Sequence, residues 1–117
     1  MARTRKRKDK TGPRQRGKAQ LEKLVEEATV DCYNESEQAT GLYTMIEDNL
    51  ALPFETTVLG IRVIVERVHL TRRDEIVAVC RRAGVRQTIP LFDLPLPSPS
   101  PAGTEWIEAY RHWLDSG

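Results

Sequence analysis

The sequence is poor in cysteine and in long apolar runs. Its 117 residues include two cysteines, Cys32 and Cys80, which stand far apart and outside any CxxC pair. Two such thiols cannot build a disulfide framework, so we expect both to be reduced. No run of about 18 apolar residues is present, which excludes a membrane-spanning helix. No apolar run follows the basic N-terminus, so we expect no secretory signal and a cytoplasmic protein without a membrane partner.

The sequence motifs of common enzymes are also missing. There is no GxSxG, no Gly-rich phosphate loop and no HExxH, and the two histidines, His69 and His112, stand alone. A zinc site would need these histidines and both cysteines to converge without any ligand spacing. An EF-hand loop is absent, because counting from Asp31 puts Ser36 where glycine is needed and Leu42 where glutamate is needed. We therefore predict a binding protein and not an enzyme.

Acids are nearly missing from residues 1–18, and bases are nearly missing from residues 22–55. The first segment has nine Lys and Arg residues and one acid, Asp9, for a net charge of +8. The second has nine Asp and Glu residues and one base, Lys23, for a net charge of −8. The net charge of +1 for the whole chain thus hides a basic N-terminal tail and an acidic body.

The N-terminal tail has no apolar periodicity and contains two glycines and a proline. Such a segment cannot bury enough apolar surface to offset the entropy of ordering. We predict a disordered basic tail over residues 1–18 and a single domain over residues 19–117.

Two helices are predicted after the tail. Apolar residues at three- and four-residue spacing mark one face of the first helix: Leu21, Leu24, Val25 and Ala28. The second begins near Asn34, a good N-cap, and Glu37 is placed to close a capping box. Pro53 ends this helix, and Gly41 within it allows a packed neighbour to come close.

A small sheet and a last helix are predicted from the second half of the chain. The β-branched run Thr57–Val68 indicates a strand broken at Gly60, followed by strands at Asp74–Arg82 and Val85–Leu91. These form an antiparallel, SH3-like sheet or half-barrel. A proline-rich connector follows, and Thr104 caps a helix whose apolar stripe docks on the sheet: Trp106, Ile107, Tyr110, Trp113 and Leu114. The predicted fold class is α+β.

The acidic residues of the two predicted helices fall into two groups. Asp31, Glu35 and Glu37 surround the turn before the second helix, where they are expected to converge. Glu47 and Asp48 lie about 18 Å further along the helix axis, so they would form a second locus. Calcium takes six to eight oxygen ligands and suits such clusters. Solvated helix faces and acids that favour a helix start give the same pattern, so spacing alone leaves both readings open.

The block around these acids favours the calcium site over solvated helix faces. Val30–Phe54 reads VDCYNESEQATGLYTMIEDNLALPF and contains D-x-Y-N-E-x-E-x-A-x-G-x-Y, then I-E-D-x-L and Pro-Phe. This block resembles the cyanobacterial calcium-binding protein family of the CcbP type, as do Ile89–Leu91 and the terminal EWIEAYRHWL. The resemblance implies a monomeric calcium buffer or sensor of modest affinity. It implies that Ca²⁺ is held by surface acids: Asp31, Glu35, Glu37, Glu47 and Asp48.

The sequence departs from the family pattern in its second half, where seven arginines lie between Arg62 and Arg86 and no acid lies between Asp93 and Glu105. Two alternatives therefore stay open. One is an interaction protein that has lost calcium binding, for which PLPSPSP could serve as a polyproline ligand. The other is a nucleic-acid-associated module that neutralises phosphates with its tail: Arg3, Arg5, Lys6, Arg7, Lys8 and Lys10.

Overall fold

The structure is a computed structural model that describes residues 16–116. In chain order, two helices precede a four-stranded sheet and a third helix follows it. The helices are α1 (Lys18–Ala28), α2 (Glu35–Asn49) and α3 (Thr104–Ser116). The strands are β1 (Phe54–Val58), β2 (Ile61–Leu70), β3 (Ile76–Arg82) and β4 (Val85–Pro90), and a 3₁₀ turn follows at Leu91–Asp93. The predicted α+β class, with a helix pair before the sheet and a helix after it, is confirmed. The tail residues 1–15 lie outside the described part of the chain.

The sheet is an antiparallel meander in the order β1-β2-β3-β4. The predicted break at Gly60 is a complete hairpin turn, so the sheet has four strands where the sequence indicated three. Leu59 and Gly60 have φ of +51° and +79°, and Ala83 and Gly84 have +51° and +80°. Two successive residues with positive φ make the tight turn that matches the twist of a hairpin. The β-branched run continues on both sides of the first turn, which concealed the turn in the sequence.

The predicted helix boundaries hold with one exception. Asn34 caps α2, because its Oδ1 accepts the backbone N–H of Glu37 at 2.8 Å. Thr104, predicted as a cap, is the first residue of α3, and its hydroxyl donates to the carbonyl of Pro101 at 2.6 Å. No helix within residues 16–116 has the length and apolar content needed to cross a bilayer.

The core lies between the helices and one face of the sheet. Helix α3 contributes Trp106, Ile107 and Tyr110, all buried, whereas Leu114 at the end of its predicted stripe is exposed. The hydroxyl oxygen of Tyr110 accepts the backbone N–H of Ile76 at 3.2 Å, which joins α3 to the start of β3. Burial raises the pKa of this phenol, so it stays neutral at physiological pH.

Two glycines permit close backbone contacts around α2. A Cβ on Gly41 would overlap the carbonyl oxygen of Ala28, so α1 can cross α2 closely only where α2 has glycine. This confirms the role predicted for Gly41. A Cβ on Gly103 would overlap the carbonyl oxygen of Asn49, and φ of +91° also favours glycine there. These contacts fix α2, which carries most of the predicted ligands.

Candidate metal site

Asp31 lies in the turn between α1 and α2. Its φ of +65° is in the left-handed region, which Asp tolerates better than most residues. The Cys32 N–H donates to the Thr29 carbonyl at 3.0 Å and closes this turn. Because the Asp31 side chain is exposed, its carboxylate is open to ions from solvent.

Glu37 is partly engaged by the start of α2. Its Oε1 accepts the backbone N–H of Tyr33 at 2.6 Å, one residue before the N-cap. The expected capping box is therefore incomplete: Asn34 caps the Glu37 N–H, but the Glu37 carboxylate accepts from Tyr33 and not from the N-cap Asn34. Among residues 16–116 no hydrogen bond to the second carboxylate oxygen is recorded, so that oxygen can still face a cation.

Glu35 shares a cleft with residues that are distant from it in the sequence. It lines a cleft of about 490 Å³ together with Asp74, Arg73 and Trp113. Asp74 belongs to the β2–β3 turn, which sequence patterns assigned to the start of a strand. The fold thus places a second acid, Asp74, and a base, Arg73, in the lining of the cleft that Glu35 shares.

Glu47 and Asp48 lie near the other end of α2, and both are exposed. The Tyr43 hydroxyl donates to Glu47 Oε2 at 2.9 Å, one helical turn away. Burial, and then this hydrogen bond, raise the pKa of Tyr43. The last turn of α2 contains no basic residue, and a helix C-terminus favours cations. These two acids remain a locus separate from Glu35, as predicted.

The predicted ligands do not form a preformed metal cage. Within the described residues 16–116, no three His, Cys, Asp or Glu side chains are grouped so that they could hold a metal ion. The expected convergence of Asp31, Glu35 and Glu37 on one point is therefore absent, and so is a Cys/His zinc site. A calcium ion bound at this surface would have to keep several of its waters or draw flexible side chains together.

The helical acids share high exposure and a shortage of cationic partners. We call residues 18–49 the acidic helical region; its bases are Lys18 and Lys23. Its eight acids are all exposed: Glu22, Glu26, Glu27, Asp31, Glu35, Glu37, Glu47 and Asp48. Among residues 16–116, only Glu22 has an ion-pair partner, His112 at 3.7 Å, and that pair is ionic only when the histidine is protonated.

Two acids on the strands of the sheet, Glu55 and Glu66, are paired with arginine instead. We call residues 54–90 the arginine-rich sheet. Glu66 accepts from Arg81 Nε at 2.5 Å and from Arg86 Nε at 3.0 Å, and Glu55 lies 3.8 Å from Arg62. The hydrogen bond from Arg81, followed by that from Arg86, holds the pKa of Glu66 below its usual value. Carboxylates neutralised in this way are poor candidates for a cation site.

Trp113 lines two clefts that also contain acids, which the sequence did not indicate. One is the Glu35 and Asp74 cleft, and the other, of about 300 Å³, is lined by Glu22, Glu26 and His112. The indole Nε1 donates to Gln38 Oε1 at 2.9 Å, which holds the ring against α2. An aromatic stripe in a sequence predicts core, so only the fold shows that this indole lies beside both sets of carboxylates.

The tail residues proposed for nucleic-acid binding all lie outside the described part of the chain: Arg3, Arg5, Lys6, Arg7, Lys8 and Lys10. That alternative therefore stays a prediction from the sequence.

Comparisons with known proteins agree with the arrangement of elements. The family described as calcium binding, of the CcbP type, matches residues 22–114. A solved calcium binding protein in the calcium-binding form is 21% identical, with a TM-score of 0.63, and the match covers 84% of this chain and 91% of that one. The crystal structure of Anabaena CcbP is 19% identical, with a TM-score of 0.64, and covers 85% and 92%. A comparison with curated proteins finds no match. At these identities the solved structures establish the shared fold.

Proposed function

The chain belongs to the CcbP-type calcium-binding family, and we propose that it binds Ca²⁺ through exposed carboxylates of the acidic helical region. It acts in this proposal as a calcium buffer or sensor of modest affinity and not as an enzyme. We also propose that it works as a cytoplasmic monomer.

One observation supports this most strongly: eight exposed acids share the acidic helical region with two lysines. Seven of the eight have no salt bridge to any residue of 16–116. Like charges on one surface repel each other, and a divalent cation relieves this repulsion at the cost of part of its hydration. Glu37 and Glu47 each keep one oxygen in an internal hydrogen bond, and the other oxygen of each can turn to the ion without breaking that bond.

We propose two loci on α2. The first comprises Asp31, Glu35 and Glu37, and we include Asp74 because it lines the same cleft as Glu35. The second comprises Glu47 and Asp48 in the last part of the helix. Since neither locus is a preformed cage, water would complete the coordination shell. We expect a dissociation constant of about 10⁻⁴ to 10⁻³ M, as for weak calcium modules with few protein ligands.

Isothermal titration calorimetry at physiological ionic strength, with magnesium present, tests the proposal. We expect saturable heat that magnesium does not abolish, because calcium accepts irregular oxygen shells more readily than magnesium does. No heat up to millimolar calcium would contradict calcium binding in this chain.

Trp113 provides a second test that locates the first locus. Terbium bound near Glu35 and Asp74 should emit when the indole is excited, and calcium should displace it. Glu35→Gln and Asp74→Asn should each reduce this emission several-fold. Glu55→Gln is the matched control, because Glu55 is an exposed acid on β1 that lies by Arg62. Equal losses in all three variants would reject the first locus.

A further inference from the structure

Exposed aliphatic side chains gather at one end of the arginine-rich sheet. Both hairpin turns, at residues 59–60 and 83–84, lie at this end, because β2 runs antiparallel to β3 with Ile64 opposite Arg81. Leu59 is 96% exposed, Val85 60% and Ile61 41%. We call this the hairpin end. Such a concentration on one small surface commonly marks an interaction site.

A cleft of about 140 Å³ opens beside these residues. Its apolar lining includes Val58, Val63 and Ile89, with Cys80 at its base. In the β3–β4 ladder Cys80 stands opposite Gln87 and Arg82 stands opposite Val85, so these side chains share one face of the sheet. This is the face that the helices cover further along, where Ala78 stands opposite Ile89 and is buried. The cleft is thus the uncovered end of the core face.

The two edges of the sheet differ. Beside β1 runs the proline-rich connector: the Thr56 hydroxyl donates to the Pro95 carbonyl at 2.6 Å, and residues 95–98 line a shared cleft with β1. Strand β4 pairs with β3 on one side and, within residues 16–116, with no strand on the other. Residues 85–88 are exposed throughout. An open strand edge offers backbone hydrogen bonds to an added strand.

Positive charge surrounds this open edge. Arg81 and Arg86 share the single carboxylate of Glu66, so that trio keeps a net charge of +1. Arg82 is exposed, lines the same cleft and has no salt bridge with any residue of 16–116. A neighbour for β4 would therefore be favoured if it carried acids.

We propose that an extended acidic segment of a partner protein, with aliphatic side chains at alternate positions, adds to β4 as a fifth strand. Its backbone pairs with the open edge, its aliphatic side chains enter the cleft on the face of Val85 and Ile89, and its acids lie on the opposite face, beside Arg86. A second copy of this chain paired through β4 would bring the same arginines together, and this repulsion disfavours it.

Fluorescence anisotropy with the full chain tests this. The probe is a labelled nine-residue peptide that alternates glutamate with valine. A peptide that alternates glutamate with serine has the same charge and reports binding by charge alone, including binding to the basic tail. We expect it to bind at least about tenfold more weakly, since it cannot fill the cleft. Leu59→Asn should weaken the valine peptide several-fold while keeping a residue that tolerates the positive φ.

Charge reversal provides the matched pair of variants. Arg86→Glu should weaken the valine peptide about tenfold, because it places a negative charge beside the peptide's acids, whereas Arg72→Glu should change it less than about twofold. Arg72 is also an exposed arginine, but it lies in the β2–β3 turn at the other end of the sheet. Peptide-induced amide shifts should lie on β4 and the hairpin end.

Three results would overturn the proposal. The first is equal affinity for the two peptides, and the second is equal weakening by both arginine variants. The third is a dimer of the free chain in sedimentation that Val85→Thr abolishes, because β4 would then pair with a second copy.

Discussion

Glutamate occurs in both halves of this molecule, but its surroundings differ. In the arginine-rich sheet Glu66 lies between two arginines, whereas in the acidic helical region Glu35 and Asp48 face solvent without a salt bridge among residues 16–116. Neighbouring strands bring side chains about 5 Å apart, so opposite charges on a sheet meet. A helix exposes its outer face to water. Acids on that face repel each other, and a bound cation can offset this repulsion. The fold thereby leaves most of the helical acids without a salt bridge among residues 16–116.

The largest expected effect is on stability, and it compares a glycine in the acidic helical region with a glycine in the arginine-rich sheet. Gly41→Ala should lower the free energy of unfolding by about 2 to 4 kcal/mol, because the new methyl overlaps the Ala28 carbonyl and α1 must move off α2. Gly60→Ala is the control in the sheet: its Cβ meets nothing within 4 Å, and its φ of +79° costs about 1 kcal/mol. Urea denaturation measures both, and equal losses would contradict the close helix crossing.

A smaller effect tests the hydrogen bond that joins α3 to the sheet. Tyr110→Phe removes the acceptor of the buried Ile76 N–H and should cost about 1 to 3 kcal/mol. Tyr43→Phe is the matched control: its hydroxyl donates to exposed Glu47 at 2.9 Å and reaches the Val68 carbonyl only at 3.4 Å, so its loss should cost less than about 1 kcal/mol. Thermal or urea denaturation gives both values, and a larger loss for Tyr43→Phe would reverse this assignment.

The pairing of Glu66 makes a prediction about pH. A carboxyl whose pKa is lowered by folding stabilises the protein above its unfolded pKa of about 4.3. That contribution is lost as the pH falls through the lower folded value. Carboxyl ¹³C NMR should show Glu66 titrating below the usual range, and Arg81→Gln should raise its pKa more than Arg86→Gln, because the Arg81 hydrogen bond contributes most. The opposite order would contradict the geometry.

The smallest expected effect concerns the basic tail. Its Lys and Arg residues, seven of them within residues 1–15, raise the positive potential around the acidic helical region. Deleting residues 1–15 should tighten calcium binding by no more than about threefold at physiological salt, where screening acts within about 8 Å. Calorimetry at two salt concentrations measures this, and weaker binding after deletion would show that the tail supports the site.

Local sequence rules identified the helices well. The three- and four-residue spacing of Leu21, Leu24, Val25 and Ala28, and the Asn34 cap, are properties of neighbouring residues, so they can be read without the fold. The hairpin at Leu59-Gly60 was missed because a non-glycine residue takes the positive φ and the β-branched run hides the turn. Thr104 was assigned a cap role, but it is the first residue of α3 and its hydroxyl donates to the Pro101 carbonyl.

The site was less predictable than the fold. The acids of α2 were found because they are close in sequence, and their separation from Glu47 follows from helix geometry. Their neighbours from distant parts of the chain were not predicted. Asp74, in the β2–β3 turn, lines the same cleft as Glu35, and Trp113, on α3, lines both clefts. Convergence of side chains depends on tertiary packing, which spacing along one helix cannot give. For that reason the sequence could not show whether Asp31, Glu35 and Glu37 converge, and within residues 16–116 they form no metal-holding group.

The most direct test of calcium binding by the acidic helical region is a calcium titration followed by carboxyl ¹³C NMR, with magnesium present throughout. We predict saturable shifts at the acids of α2 and its preceding turn, with Glu66 and Glu55 unmoved: the responding residues should be Asp31, Glu35, Glu37, Glu47 and Asp48. Shifts centred on the arginine-paired sheet acids, or no shifts up to millimolar calcium, would contradict it.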